Sequence, residues 1–96
     1  MTFDELQNAL KIMSLGERAT LAEIRMRHRD LVKKYHPDSG FSGDPDRIRQ
    51  INAAHRLLSE YVGNYRFSFT EEEFCQQNPE EWVRRQFMSD PLWGKR

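Results

Sequence analysis

The residues with the greatest chemical potential are His36, Pro37 and Asp38, which are consecutive in the chain. An imidazole and a carboxylate can act as an acid–base pair, but no nucleophile or phosphate-binding loop accompanies them, and an exposed turn supplies no pocket. Asp38 follows the end of a predicted helix, where the helix dipole does not stabilise a carboxylate, so an arginine of another protein could bind it. Pro37 restricts the turn and reduces the entropy lost on docking. The triplet therefore predicts protein docking, and we expect the chain not to be an enzyme.

A row of basic side chains precedes this turn. Arg25, Arg29 and Lys33 are spaced four residues apart, so they share one face of a helix, and Lys34 lies nearer the turn. Such a face is usually only solvated. Because it leads directly into the triplet, we interpret it as a docking surface for an acidic partner.

The composition excludes several other functions. The chain has 96 residues, enough for one modest core, and its 15 basic and 15 acidic residues give a net charge of zero, which argues against nucleic-acid binding. The lone cysteine, Cys75, excludes an internal disulfide and a cysteine-built zinc site. The acidic start and the lack of a long apolar run predict no secretory signal, no membrane binding and a cytoplasmic location. No cofactor is expected.

Capping residues and apolar spacing predict an all-α chain. The first three helices are expected over residues 2–13, 20–35 and 44–62, with a break at 14–16. Two short helices are expected to open at Thr70 and Asn78, the second ending near Met88. The long second and third helices carry matching apolar stripes, so they should form an antiparallel hairpin. The stripes are Leu21, Ile24, His28, Leu31 and Tyr35, and Ile48, Ile51, His55, Leu58 and Val62, flanked by Ala54, Leu57 and Tyr61.

Residues 3–62 resemble the J domain, the helical module that couples client-delivery proteins to DnaK-type heat-shock ATPase chaperones. The resemblance rests on Glu23-Ile24-Arg25, Leu31, Lys34-Tyr35-His36-Pro37-Asp38 and Ile51-Asn52-Ala53-Ala54. It implies that the His-Pro-Asp triplet triggers ATP hydrolysis by the chaperone and that the basic face of the second helix meets an acidic surface of the ATPase. The expected domains are a J domain over 1–63 and an extension over 64–96.

The chain departs from the usual J-domain pattern at several positions. His28 and His55 stand where tyrosine is common, and we expect both to be semi-buried on their apolar stripes. A metal site formed by these two with His36 is the alternative, but packed stripes do not easily aim three imidazoles at one point. Ser39-Gly40 makes the loop less basic than is usual, and Ile48 replaces a frequent phenylalanine.

The extension is rich in aromatic residues. We expect it to pack back on the three-helix part and to enlarge a marginal core. The alternative is an exposed surface for a client or another partner, in a protein that need not stimulate the ATPase at all. The candidate partner-binding residues are Phe67, Phe69, Trp82, Phe87 and Trp93.

A helix-turn-helix mode of DNA binding through the basic row is a further alternative. It is disfavoured by the zero net charge and by a nine-residue connection where such motifs have a tight turn.

Overall fold

Capping side chains set where the helices of this chain begin. In the computed structural model, which describes residues 1–37 and 43–89, Thr2 accepts a hydrogen bond from the Glu5 amide and Glu5 accepts one from the Thr2 amide, at 3.1 and 2.8 Å. Thr20 and Glu23 repeat this capping box. Each such cap stabilises a helix by about 1 kcal/mol.

The described residues contain five α-helices and no strand, so the predicted all-α class is confirmed. The chain forms two compact units, the first over Met1–Tyr65 and the second beginning at Arg66. The helices are α1 (Phe3–Ile12), α2 (Leu21–Tyr35), α3 (Pro45–Gly63), α4 (Glu71–Gln77) and α5 (Pro79–Ser89).

The first unit is built around α3, which packs against both α1 and α2. The predicted antiparallel pairing of α2 with α3 is confirmed, because Arg47 contacts Tyr35 at one end while His55 stacks on His28 further along. Leu21 of the predicted α2 stripe and Tyr61 of the predicted α3 flank are exposed instead, and both lie toward the other end of this helix pair. The buried core consists of Ala9, Met13, Ile24, Ile51, Ala54 and Leu58.

The break after α1 has an unusual backbone. Ser14 adopts a φ of 56°, in the left-handed region that favours glycine, while the nearby Gly16 does not provide the break. The Leu15 amide donates to the Leu10 carbonyl at 2.8 Å, which closes the end of α1. The guanidinium of Arg27 in α2 donates to the Ser14 carbonyl at 2.5 Å, and this bond ties the turn to the second helix.

The second unit is smaller and has little interior. Its helices α4 and α5 are joined at Asn78, whose side chain donates to the Phe74 carbonyl at 2.9 Å, and Arg85 forms an ion pair with Glu71. Within residues 66–88, Cys75 is the one buried side chain. The expected packing of this unit on the first stays a prediction.

Candidate docking site on the basic helix

The basic helix leads straight into the His-Pro turn. Helix α2 ends at Tyr35, and His36 is its C-cap in an extended conformation, with φ −63° and ψ 142°. This conformation is expected for a residue before proline, because the proline ring disfavours helical geometry there. His36 and Pro37 are both exposed. Asp38, the third predicted residue of the triplet, lies outside the described residues.

The two ends of the connecting loop meet at its base. The Asp44 amide donates to the Tyr35 carbonyl at 2.9 Å, which joins the start of α3 to the end of α2. Gly43 lies so close to Pro37 that an added Cβ would stand 2.8 Å from the Pro37 Cα. Only glycine fits there without a shift of the backbone. Among the described residues, one hydrogen bond and one close glycine–proline contact therefore fix the base of the loop.

The predicted basic row lies on the surface of α2. Arg25, Arg29 and Lys33 are exposed, as is Lys34 beside the turn. The Glu23 carboxylate of the same helix is hydrogen-bonded to Thr20. The bond with the Thr20 backbone lowers the pKa of Glu23 most, and the bond with the Thr20 side chain lowers it further. That carboxylate serves as a cap of α2, and its charge lies at the far end of the helix from the turn.

Arg27 differs from its basic neighbours. It is partly buried and donates hydrogen bonds to the Ser14 and Met13 carbonyls, so its role is structural. Arg27 follows Arg25 by two residues, about 200° around a helix, which places it away from the row. Helical spacing alone predicts that Arg27 lies apart from the row. The sequence does not predict that its guanidinium binds the Ser14 and Met13 carbonyls.

Two cationic side chains lie close to the Tyr35 ring at the end of α2. The Lys34 Nζ lies 5.4 Å and the Arg47 Cζ 5.0 Å from the centre of its ring, both within cation–π range. Arg47 also donates to the Tyr35 hydroxyl at 3.4 Å. Positive charge is thereby concentrated beside the loop, although the loop sequence itself is poor in basic residues.

The two histidines in the aromatic positions stack on each other. The ring centres of His28 and His55 are 3.9 Å apart with an angle of 15° between the planes, and the His28 Nε2 is 2.9 Å from the Asn52 Oδ1. Burial lowers the pKa of His55, and the nearby His28 and Arg25 lower it further. The prediction of two semi-buried histidines is confirmed.

The alternative three-histidine metal site finds no support in the geometry. His36 follows His28 by eight residues, which is about 12 Å along a helix. Among residues 1–37 and 43–89, no three histidine, cysteine, aspartate or glutamate side chains lie close enough to hold a metal ion.

The aromatic residues of the extension are on the surface. Phe67 and Phe69 precede α4 and are 65% and 94% exposed, while Trp82 and Phe87 on α5 are 52% and 54% exposed. Trp93 lies outside the described residues. In the described part of the chain, no helix is long and apolar enough to span a bilayer.

Comparison with known proteins places the first unit in a family. The DnaJ domain family matches residues 8–63. An uncharacterized 19.0 kDa protein of Sinorhizobium is 41% identical over 54% of this chain and 32% of its own length. The chaperone protein DnaJ of Finegoldia magna is 39% identical over 57% of this chain and 15% of its own length. The curved DNA-binding protein of Coxiella burnetii is 34% identical over 58% and 18%, respectively.

The chain thus spans a third or less of the length of these relatives, and no solved structure matches it significantly. The family match covers more than half of the chain and includes the second half of α1, all of α2 and α3, and the His-Pro-Asp triplet between them. This protein belongs to the DnaJ domain family.

Proposed function

We propose that the protein is a DnaJ-like co-chaperone that docks on a DnaK-type ATPase and stimulates its ATP hydrolysis through His36, Pro37 and Asp38. The observation that carries this proposal is the direct passage from the exposed basic row of α2 into the turn, with the loop base closed by the bond between Asp44 and Tyr35. The protein would then act on its partner's chemistry and perform none itself.

The basic row supplies the first step of docking. Exposed cations attract an acidic surface over about 8–10 Å at physiological salt, which raises the association rate and makes it sensitive to ionic strength. Contacts of this kind favour fast and weak binding, as a partner that is used repeatedly requires.

The triplet supplies the second step. The proline and the closed loop base limit the conformations of His36 and Pro37 before docking, so less entropy is lost when the partner binds. The carboxylate of Asp38 is then the group that an arginine of the ATPase would bind through a charge-assisted hydrogen bond.

Single-turnover ATP hydrolysis by a DnaK-type chaperone tests the proposal. The protein should accelerate hydrolysis, and Asp38→Asn or His36→Gln should abolish the acceleration. Asp30→Asn is the matched control, because it makes the same chemical change at an exposed position of α2. The proposal fails if the protein gives no acceleration, or if Asp38→Asn behaves as Asp30→Asn does.

The role of the basic row is tested separately. Arg29→Glu should reduce the stimulation at low salt by roughly tenfold, and the difference from wild type should shrink as salt rises. Arg56→Glu on α3 makes the same change away from the row and should have little effect. Equal losses for the two variants would show that only the net charge matters.

A second candidate function is favoured by the exposure of Phe69 and Trp82, which is high for such large apolar side chains. The extension would bind an apolar segment of a client, with basic side chains of that segment near the exposed carboxylates of Glu72 and Glu80. Phe69→Ser should weaken capture of such a peptide and leave ATPase stimulation unchanged. If the peptide still binds equally well, this role is excluded.

We infer neither nucleic-acid binding nor a location outside the cytoplasm for this protein. The Coxiella relative is named for DNA binding, but the match covers only 18% of that protein. With a net charge of zero, this chain should not shift duplex DNA in a gel at low salt. The lone cysteine is compatible with a reducing cytoplasm, which cell fractionation would test.

A further inference from the structure

An open pocket of about 470 Å³ lies where the end of α1, the end of α2 and the start of α3 meet. Each helix contributes one exposed cation to its lining, Lys11, Lys34 and Arg47 respectively, and its described lining residues include no aspartate or glutamate. The apolar side chains of Leu31 and Ile51 also line it, half-buried and buried respectively. This cationic pocket is of ligand-binding size and combines positive charge with apolar surface.

Among residues 1–37 and 43–65, no carboxylate is paired with the side chains of the three cations of the pocket. The Lys11 side chain makes no hydrogen bond or ion pair with any described residue. Lys34 and Arg47 both lie against the Tyr35 ring, and within the described residues the Arg47 guanidinium donates to the Tyr35 hydroxyl. Three positive charges around one pocket repel one another. A bound anion would be attracted to all three and would offset that repulsion.

The start of α3 is unsuited to a phosphate. A phosphate at a helix start relies on free backbone amides. Here the Asp44 carboxylate already accepts the Arg47 amide at 3.1 Å, Pro45 has no amide hydrogen, and Asp46 adds a negative charge in the first turn. The cations, moreover, come from three separate helices around apolar side chains. This arrangement suits several carboxylates that flank an apolar residue.

We propose that the cationic pocket binds an acidic segment of a protein partner. Carboxylates of that segment pair with Lys11 and Arg47, and an apolar side chain of the segment packs on Leu31 and Ile51. The ligand is a peptide with alternating acidic and apolar residues, since such a peptide presents both groups within a short length of chain.

This pocket adjoins the docking site described above, at Lys34 and Tyr35, but extends away from the basic row. Arg25, Arg29 and Lys33 do not line it, and Lys34 is the one described residue of the predicted chaperone-binding set that does. Lys11 lies on α1 and belongs to the pocket alone. A variant at Lys11 therefore tests the pocket without altering the His-Pro-Asp triplet or the basic row.

The test is an NMR titration of the full ¹⁵N-labelled chain with the blocked peptide acetyl-Glu-Leu-Glu-Leu-Glu-amide. We expect saturable shifts at the amides of Lys11, Leu31 and Gln50, with a Kd on the order of 0.1–1 mM. The same peptide with glutamine in place of glutamate should leave these amides unshifted. Inorganic phosphate at equal concentration should also give no saturable shift there.

Lys11→Glu should weaken peptide binding by at least about fivefold, because it removes one ion pair and adds a repulsion. Arg18→Glu is the matched control, since it makes the same charge change at an exposed position outside the pocket, and it should stay within about twofold of wild type. Unchanged circular dichroism would show that both variants remain folded.

Four outcomes would overturn the proposal. They are equal binding of the glutamine peptide, equal saturable shifts with phosphate, shifts spread alike over all basic residues, and equal losses for Lys11→Glu and Arg18→Glu. ATPase stimulation by the Lys11→Glu protein is measured alongside. Its retention together with the loss of peptide binding would support two separate sites, whereas loss of stimulation with peptide binding intact would overturn the assignment of Lys11 to the pocket.

Discussion

The two units of this chain differ in how far they bury their apolar side chains. In the first, Met13 and Ile51 are fully buried, and three helices share one core. In the second, Cys75 is the one buried side chain of residues 66–88, while Phe69 is almost entirely exposed. Burial of apolar area is the main source of folding free energy. The first unit therefore holds its shape through its core, whereas caps and ion pairs contribute relatively more to the second.

The same difference separates their expected functions. A rigid core lets the first unit hold an exposed turn and a row of charges in fixed positions, as a docking site requires. The second unit offers apolar side chains that its own helices do not cover, and such surfaces usually bind other proteins. Tryptophan fluorescence can follow the second unit alone, because both tryptophans of the chain, Trp82 and Trp93, belong to it.

The largest expected effect comes from removing core volume from the first unit. Leu58→Ala should lower the free energy of unfolding by about 2–5 kcal/mol, since Leu58 is buried between packed helices and the substitution leaves a cavity. Phe69→Ala removes a larger side chain from the second unit but should change stability by less than about 0.5 kcal/mol. Urea unfolding followed by circular dichroism measures both. Similar losses for the two variants would show that the second unit depends on its apolar side chains as much as the first does.

The next largest loss of stability is expected from a change at the loop base of the first unit. Gly43→Ala should destabilise the chain by about 1–3 kcal/mol, because the new Cβ would press against the Pro37 backbone and not against a flexible side chain. The same variant should also reduce ATPase stimulation, since His36 and Pro37 would be displaced. Thermal unfolding and the single-turnover assay give the two readouts.

Gly63→Ala is the control for that variant. It lies in the last turn of α3, where an added Cβ meets nothing within 4 Å, so it should be neutral or slightly stabilising. A Gly43→Ala protein that is as stable and as active as Gly63→Ala would show that the close contact with Pro37 has no role.

A smaller difference in stability is expected between variants of one arginine from each unit. Arg27→Gln should cost about 1–2 kcal/mol, because its guanidinium holds the Ser14 carbonyl at the strained end of α1. Arg84→Gln in the second unit removes only an exposed ion pair with Glu81 and should cost about 0.5 kcal/mol or less. Denaturant midpoints of the two variants decide the matter, and equal shifts would count against a structural role for Arg27.

Most of the fold could be predicted from the sequence because local signals govern it. Thr2, Thr20 and Asp44 each cap a helix as expected, and Pro45 stands at the first helical position where its missing amide costs nothing. The packing of α3 on α1 and the left-handed Ser14 were not foreseen. Both depend on tertiary contacts, which no spacing of residues along one helix reports.

The candidate site could be predicted only in part. The exposed row and the His-Pro turn follow from helical periodicity and from proline geometry. The close approach of Gly43 to Pro37 and the cationic pocket join residues from different helices, so neither has a local signal. In the sequence, nothing distinguishes Lys11 from a solvated surface lysine. Its place in the pocket depends on how α2 and α3 pack beside α1.

The smallest expected effect is the pH dependence of stability. It should arise in the first unit, because all three histidines of the chain lie there. The pKa of His55 is lowered from 6.5, chiefly by burial and then by His28 and Arg25, so the folded chain disfavours its protonated form. The unfolded chain then binds more protons as the pH falls through 6.5, and stability, fully present above that value, declines. We expect the free energy of unfolding to decrease from pH 7.5 to 5.5.

His55→Phe should flatten this pH dependence, because phenylalanine fills the same aromatic position without a titrating group. His36→Gln, at an exposed position outside the stack, should retain the wild-type slope. Urea unfolding by circular dichroism at several pH values gives the slope, and the tryptophan signal of the second unit in the native state should stay constant over the same range. A His55→Phe protein with an undiminished slope would place the titrating group elsewhere and leave the His28–His55 stack as packing alone.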